Sequence, residues 1–174
     1  SEMCIRDSLR AAHAGVSSGR AVSVWAEVVG QEPAVQQFRR AASPGGSLAQ
    51  AWLVTGPPGS GRSTAARAFA ATLQCEEGTG CGQCRACRTV TAGTHPDVTV
   101  VTTDKLSISK EEVRGLVLTA QQAPATGHRR VVIVEDADRM SPGTFNVLLK
   151  AIEEPPPLTV WMLCAPSAQD LSLI

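Results

Sequence analysis

From about Val24 onward, the apolar positions of the chain switch repeatedly between helical and strand spacing. Val35, Phe38 and Ala42 share one helical face across Pro33 to Ala42, and Pro33 suits a first turn, where its missing N–H leaves no bond unmade. Ser43-Pro44-Gly45-Gly46 ends that run. Ala51 to Thr55 is a short apolar stretch stopped by glycine and proline, the form of a buried strand. An alanine-rich helix is expected over Ser63 to Gln74, and a second strand over Val98 to Val101. Ser109 and Glu112 have the spacing of a capping box, and Val113, Leu116, Val117 and Ala120 then repeat at i, i+3, i+4 and i+7. A third strand covers Arg130 to Val134. Ser141 and Pro142 open a helix carrying Phe145, Leu148, Leu149 and Ile152, and Pro155 to Pro157 stop it before a fourth strand over Thr159 to Ala165. This alternation predicts an α/β domain, a parallel sheet covered by helices on both faces. No internal repeat or low-complexity tract interrupts it.

Composition narrows the class. With 174 residues, 43% of them hydrophobic, the chain has material for one domain with a real core and too little for two domains. Sixteen basic residues balance sixteen acidic ones, whereas a surface that grips nucleic acid by neutralising phosphates needs a cationic excess, so proteins or nucleotides are the expected partners. No apolar run approaches the roughly 18 to 20 residues of a membrane-spanning helix, and no basic-then-apolar leader opens the chain. The expectation is a soluble, cytoplasmic protein without a membrane partner. Ser1 to Ser8 and Leu171 to Ile174 read as non-native adapter-like ends, and residues 9 to 23 are small and weakly patterned. The expected domain therefore runs from 24 to 170, with 1–23 and 171–174 outside it.

The chemistry concentrates at two turns. Gly56-Pro57-Pro58-Gly59-Ser60-Gly61-Arg62-Ser63 has the glycine spacing of a phosphate-binding loop and lies between a strand and a helix. Glycines let successive N–H groups turn inward, and the helix start adds partial positive charge, so an anion fits there. Arg62 stands where the pattern has lysine, which keeps the charge but replaces a compact ammonium with a planar fork. Two readings stay open: a loop that still attracts ATP with Mg2+, and a strand-to-helix turn that no longer binds nucleotide. After the apolar strand Val131 to Val134, Glu135 and Asp136 match the paired acids of a Walker B site in reversed order. Displacing such groups by about 1 Å can cost a hundredfold in rate. Both departures fall on one reaction, so a dedicated ATP-hydrolysing engine is not expected.

Four of the six cysteines, Cys75, Cys81, Cys84 and Cys87, form C-x5-C-x2-C-x2-C with glycines between them. Four thiolates turned to one centre satisfy tetrahedral zinc and leave no open position, which implies a structural ion. A redox pair is the rival reading, although one C-x-x-C would serve it. His95 is a further candidate ligand or a core histidine, and Cys164 reads as a small core residue.

Several segments together carry a resemblance. Val28-Val29-Gly30-Gln31-Glu32, the glycine loop, the four-cysteine insertion after the next helix and His95-Pro96-Asp97 come first. Phe145-Asn146-Val147-Leu148-Leu149-Lys150 and Glu153-Glu154-Pro155-Pro156 complete the set. The combination resembles the bacterial DNA polymerase III clamp-loader family over about residues 24 to 170. Its tau/gamma branch keeps the lysine and the Asp-Glu order. Arg62 and Glu135-Asp136-Ala137-Asp138-Arg139 look instead like the delta-prime branch of high-GC actinobacteria, and 13 of the 16 basic residues are arginine in agreement.

The resemblance implies a RecA-like AAA+ module followed by a helical lid and a collar, which lie beyond this segment. It implies a hetero-oligomer with delta and tau/gamma that opens the sliding clamp and places it on primer-template DNA in replication. In that ring the delta-prime type is a stator within a nucleotidyltransferase holoenzyme, not itself an active ATPase or polymerase. It supplies an arginine finger from a Ser-Arg-Cys motif expected shortly after Ala165. By family position Val29 and Gly30 would lie near an adenine ring, and Ser167 near a sensor position, where Ala165-Pro166 departs from the active pattern. The competing expectations are an ATP-hydrolysing tau/gamma subunit or other P-loop ATPase, and a zinc-bearing interaction module without nucleotide.

Overall fold

The computed structural model describes residues 2–4, 23–102, 107–126 and 128–172. Four strands take the bounds that the apolar runs predict: β2 (Ala51–Thr55), β3 (Val98–Val101), β4 (Arg130–Val134) and β5 (Thr159–Ala165). With β1 (Glu2–Cys4) they form a sheet in the order β1-β2-β5-β4-β3, every neighbouring pair parallel. Because β5 lies between β2 and β4, Val54 sits beside Cys164 and Ile133 beside Met162.

Alternate side chains of these strands feed two separate cores. Trp52, Val54, Val131, Ile133, Val160, Met162 and Cys164 face one cluster, closed by α1 (Glu32–Ala42), α2 (Arg62–Gln74) and a short 3-10 turn (Val24–Glu27). There Phe38 of α1 stacks on Phe69 of α2 at 4.4 Å between ring centres. The alanines of α2 are buried along most of its length, so small side chains let the helix axis settle close to the sheet. Val132, Val134, Trp161, Leu163 and Ala165 face the other cluster, closed by α4 (Lys110–Ala120), α5 (Pro142–Glu153) and α6 (Ala168–Ser172). Helices thus cover both faces, as the alternating pattern predicts.

The helix starts follow their local chemistry. Ser109 Oγ accepts from Glu112 N at 3.2 Å while Glu112 Oε2 accepts from Ser109 N at 2.7 Å, a reciprocal cap on α4. Ser141 Oγ accepts from Thr144 N at 3.2 Å, and Pro142 opens α5. Among the described residues no helix is long and apolar enough to cross a membrane.

Two features depart from the expected boundaries. Glu2–Cys4, set outside the fold with residues 1–23, runs parallel to β2 along an edge whose unpaired N–H and C=O groups accept an extended segment. Leu171, set outside with residues 171–174, is buried in the second core. Ser167 Oγ accepts from Asp170 N at 3.3 Å and starts the turn that carries Leu171 inward. Residues 5–22 and 173–174 lie outside the described residues.

Candidate functional site

The glycine loop leaves β2 at Thr55, with Gly56 N donating to Ala165 O of β5 at 3.3 Å. Ser60 N donates back to Pro57 O at 3.0 Å, which closes the turn. Gly59 and Gly61 both have φ of +81°, a left-handed conformation that a side chain resists, so the glycine spacing meets a backbone need. Pro57, Pro58 and Gly59 are exposed at the crest of the loop. Gly61 then caps α2, its carbonyl accepting from Ala65 N at 2.8 Å, and Arg62 and Ser63 form the first helical turn.

The arginine does not reach outward. Its Nη1 donates to Gly56 O at 2.7 Å, folding the guanidinium across the loop onto the carbonyl where the loop begins. Arg62 Nε and Ser60 Oγ are buried without a hydrogen-bond partner. Glu135 follows β4 directly, its N–H donating to Val101 O at 3.0 Å. Its Oε1 accepts from Arg67 Nε of α2 at 2.7 Å, the Glu135 side chain 14% exposed. Asp136 heads the 3-10 turn Ala137–Arg139. Cys164 lies buried in the core; burial pushes its thiol up to about 12, with Glu135, Arg62, Asp136 and Arg67 close enough to act on it. The structure therefore brings the loop, which follows β2, and the acids, which follow β4, to one end of the parallel sheet. Val29 stands 82% exposed and Gly30, with φ of +75°, turns the chain toward α1. None of the described hydrogen bonds joins either residue to the loop.

Arg67 is the participant that sequence reasoning missed. It lies 68 positions from Glu135, and nothing in the local pattern marks it. The pairing places a cation on the carboxylate that a Walker B site turns toward magnesium.

The four cysteines converge at the far end of α2. Cys75 follows that helix directly, Cys84 caps α3 (Arg85–Thr91), and Cys87 lies in its first turn. Their sulfurs all lie within 4.8 Å of one another. Tetrahedral zinc–thiolate bonds of about 2.3 Å imply sulfur separations near 3.8 Å, so a small contraction would close the shell. Cys84 N donates to Cys81 Sγ and Cys87 N to Cys84 Sγ, each at 3.4 Å. Burial opposes a thiolate at Cys75, but the N–H groups of Cys81, Glu77, Thr79 and Gly80 together outweigh it and bring the pKa down to about 6. Burial pushes the Cys87 thiol up. The donor set can hold a metal ion.

Gly80 explains why this insertion stays on the domain. A Cβ there would lie 2.5 Å from Thr72 Oγ1 and 2.7 Å from Val24 Cγ2, so only glycine allows the approach. Gly80 O then accepts from Val24 N at 3.0 Å and Ser23 Oγ at 3.2 Å, binding the cluster to the 3-10 turn.

His95 is a core residue, 7% exposed, and stands apart from the clustered sulfurs. Its Nδ1 accepts from Asp97 N at 3.1 Å. Asp97 is wholly buried and accepts from Ala125 N at 2.6 Å, Thr126 N at 2.8 Å and Arg130 Nη2 at 3.3 Å. Arg130 also donates to Gln122 O and Ala123 O. Burial alone would raise the Asp97 pKa, but the Thr126 hydroxyl, the two N–H groups and the Arg130 guanidinium hold it below the ordinary carboxylate value. The His95-Pro96-Asp97 motif thus organises the segment between α4 and β4.

A parallel sheet with a glycine loop between β2 and α2, two acids after β4 and a four-cysteine insertion defines a P-loop domain of the AAA+ type. The chain belongs to the family described as DNA polymerase III, delta subunit, whose profile matches residues 30–173. Among its relatives is DNA polymerase III subunit delta' of Pseudomonas aeruginosa, 39% identical over 66% of this chain and 37% of the relative. The delta' subunit of Bacillus subtilis is 32% identical over 84% of this chain and 45% of the relative. DNA polymerase III subunit tau of Escherichia coli is 35% identical over 84% of this chain and 23% of the relative. The expected clamp-loader resemblance, on its delta-prime side, is borne out by the family match and the delta' relatives. The chain spans 37% of the length of the first of these relatives. The crystal structure of a DNA polymerase III gamma subunit-related protein from Thermotoga maritima shares the fold. Its TM-score is 0.54 and its identity 20%, over 80% of this chain and 43% of that one.

Proposed function

We propose that the protein containing this chain is a clamp-loader subunit of DNA polymerase III acting in replication as a stator of the delta-prime kind, its glycine loop retained as architecture. The observation that carries this reading is the double engagement at the loop: Arg62 Nη1 on Gly56 O, and Arg67 on Glu135, each at 2.7 Å. The cation suited to a terminal phosphate is turned onto backbone, and the first acid holds an arginine. The partners on this reading are the delta and tau/gamma subunits, with the sliding clamp and primer-template DNA reached through the assembly, in the cytoplasm. Cys75, Cys81, Cys84 and Cys87 hold a structural zinc ion, which supplies rigidity and no reaction step.

ATP turnover and nucleotide affinity, measured on the full-length purified subunit and on Arg62→Lys, test the reading. Turnover at the buffer background is expected for the unaltered protein. Robust turnover by the unaltered protein alone overturns the stator reading and favours an ATP-hydrolysing tau/gamma-type subunit.

A further inference from the structure

The four cysteines are not equally sheltered. Cys75 and Cys87 are buried, whereas Cys81 and Cys84 are half-buried and line an open hollow of about 930 Å³ with Ser23, Arg39, Glu77 and Gln83. Two of the sulfurs suited to a metal ion are thus within reach of a small solute, and two are covered by the body of the domain. Zinc has no redox chemistry of its own, but a thiolate bound to it remains a nucleophile that a peroxide can oxidise.

Cys84 is placed to react first and Cys75 to react second. Cys84 lines the hollow, and its Sγ stands 4.0 Å from Cys75 Sγ. Closure by about 2 Å brings that pair to disulfide length. Glu76, Glu77, Gly78 and Thr79, which follow Cys75, are all exposed, so no packed core side chain among them opposes the movement. Cys87 is engaged elsewhere, its Sγ donating to Ala71 O of α2 at 3.7 Å. Cys81 Sγ accepts from Cys84 N at 3.4 Å and is the competing partner.

We propose that Cys84 and Cys75 form a peroxide-sensitive release for the metal ion. The inference rests on the zinc reading above and on nothing at the glycine loop. Cys84 Sγ attacks hydrogen peroxide; the O–O bond breaks, an S–O bond forms, and hydroxide leaves a sulfenic acid behind. Cys75 Sγ then attacks the Cys84 sulfur; the S–S bond forms, the S–O bond breaks, and a second hydroxide leaves. Two thiolates and one peroxide, with two protons from solvent, become one disulfide and two water molecules. The thiolates are oxidised and the peroxide oxygens reduced. The ion, left with two of its four thiolates, dissociates. Gly80 lies between the two cysteines and its carbonyl holds Val24 N and Ser23 Oγ, so the release reaches the turn Val24–Glu27.

The test uses the full-length protein as purified under reducing conditions, with the reductant then removed. Its metal content is measured first by mass spectrometry, and about one zinc ion per chain is expected. A chain without zinc overturns the zinc reading itself, and this inference with it. Hydrogen peroxide is then titrated in, free zinc is followed with a chromogenic chelator, and the cysteines are mapped after cleavage at Glu77 and Arg85. Zinc is released in step with peroxide, and the Cys75 fragment is joined to the fragment 78–85 through Cys84. Dithiothreitol with added zinc reverses both changes. Cys164, buried in the core, stays reduced and serves as the internal control. Zinc retained at about tenfold excess of peroxide overturns the release while leaving the zinc reading intact. A Cys81–Cys84 bridge, zinc release without a disulfide, or equal oxidation of Cys164 overturns it as well.

Discussion

Arginine and lysine carry the same charge at position 62 and use it differently. An ammonium is a point charge that can follow a phosphate; a guanidinium is a planar fork that also makes good bonds to carbonyl oxygens. Here the fork closes on Gly56 O. Asp97 shows the same logic in the interior, where one carboxylate gathers Ala125, Thr126 and Arg130. Asp97→Ala leaves the Arg130 guanidinium, itself 5% exposed, without its counter-charge, and a loss of roughly 3–5 kcal/mol in unfolding free energy is expected by denaturant titration. The pH dependence follows from the lowered Asp97 pKa. The carboxylate binds protons less readily folded than unfolded, so its contribution is complete above the ordinary carboxylate range near pH 4 and disappears as pH falls through the folded value. Acid titration followed by tryptophan fluorescence should show a stability decline below that range, and the decline should flatten in Asp97→Asn.

Helices and strands formed largely where short-range rules put them. The capping box at Ser109 and Glu112 lies within one turn, so its partners are adjacent whatever the rest of the chain does. Ser109→Ala removes the acceptor for Glu112 N, and a loss of about 1 kcal/mol is expected from the shift in urea midpoint. By contrast α3 escaped prediction. It has seven residues, its cap is the sulfur of Cys84, and its buried residues are Cys87 and Val90, too few for a periodic face. Its stability comes from the cysteine cluster and from α2, which no window of seven residues contains.

Across the whole molecule, the cysteine cluster is coupled to more than its own turn. Gly80 O holds Val24 and Ser23, Cys75 directly follows α2, and Gln74 just before it bonds Arg129 O ahead of β4. With zinc bound as proposed, its removal by a chelator should loosen Val24–Glu27 and α3 together, because ion binding and local folding share one free energy. Hydrogen exchange should rise in those two segments and remain slow in β4 and β5, which lie inside both cores. Cys84→Ser should reproduce the pattern and lower metal content from one ion per chain. Unchanged metal content in that variant contradicts a four-cysteine site.

What the chain determined unaided is what depends on neighbours a few positions apart. Strand and helix periods, the caps at Ser109 and Ser141, the glycines at 59 and 61 and the C-x2-C steps are all of that kind, since their physics acts within a turn or two. Tertiary structure decided which strand lies beside which, and with it every pairing made across the sheet. The insertion of β5 between β2 and β4 aligns Glu135 with Arg67 of α2, and the return of the segment before β4 seats Arg129 O on Gln74. Those partners are 68 and 55 positions apart. Their meeting is set by how two cores close around one sheet, a choice that the spacing of residues along the chain does not encode locally.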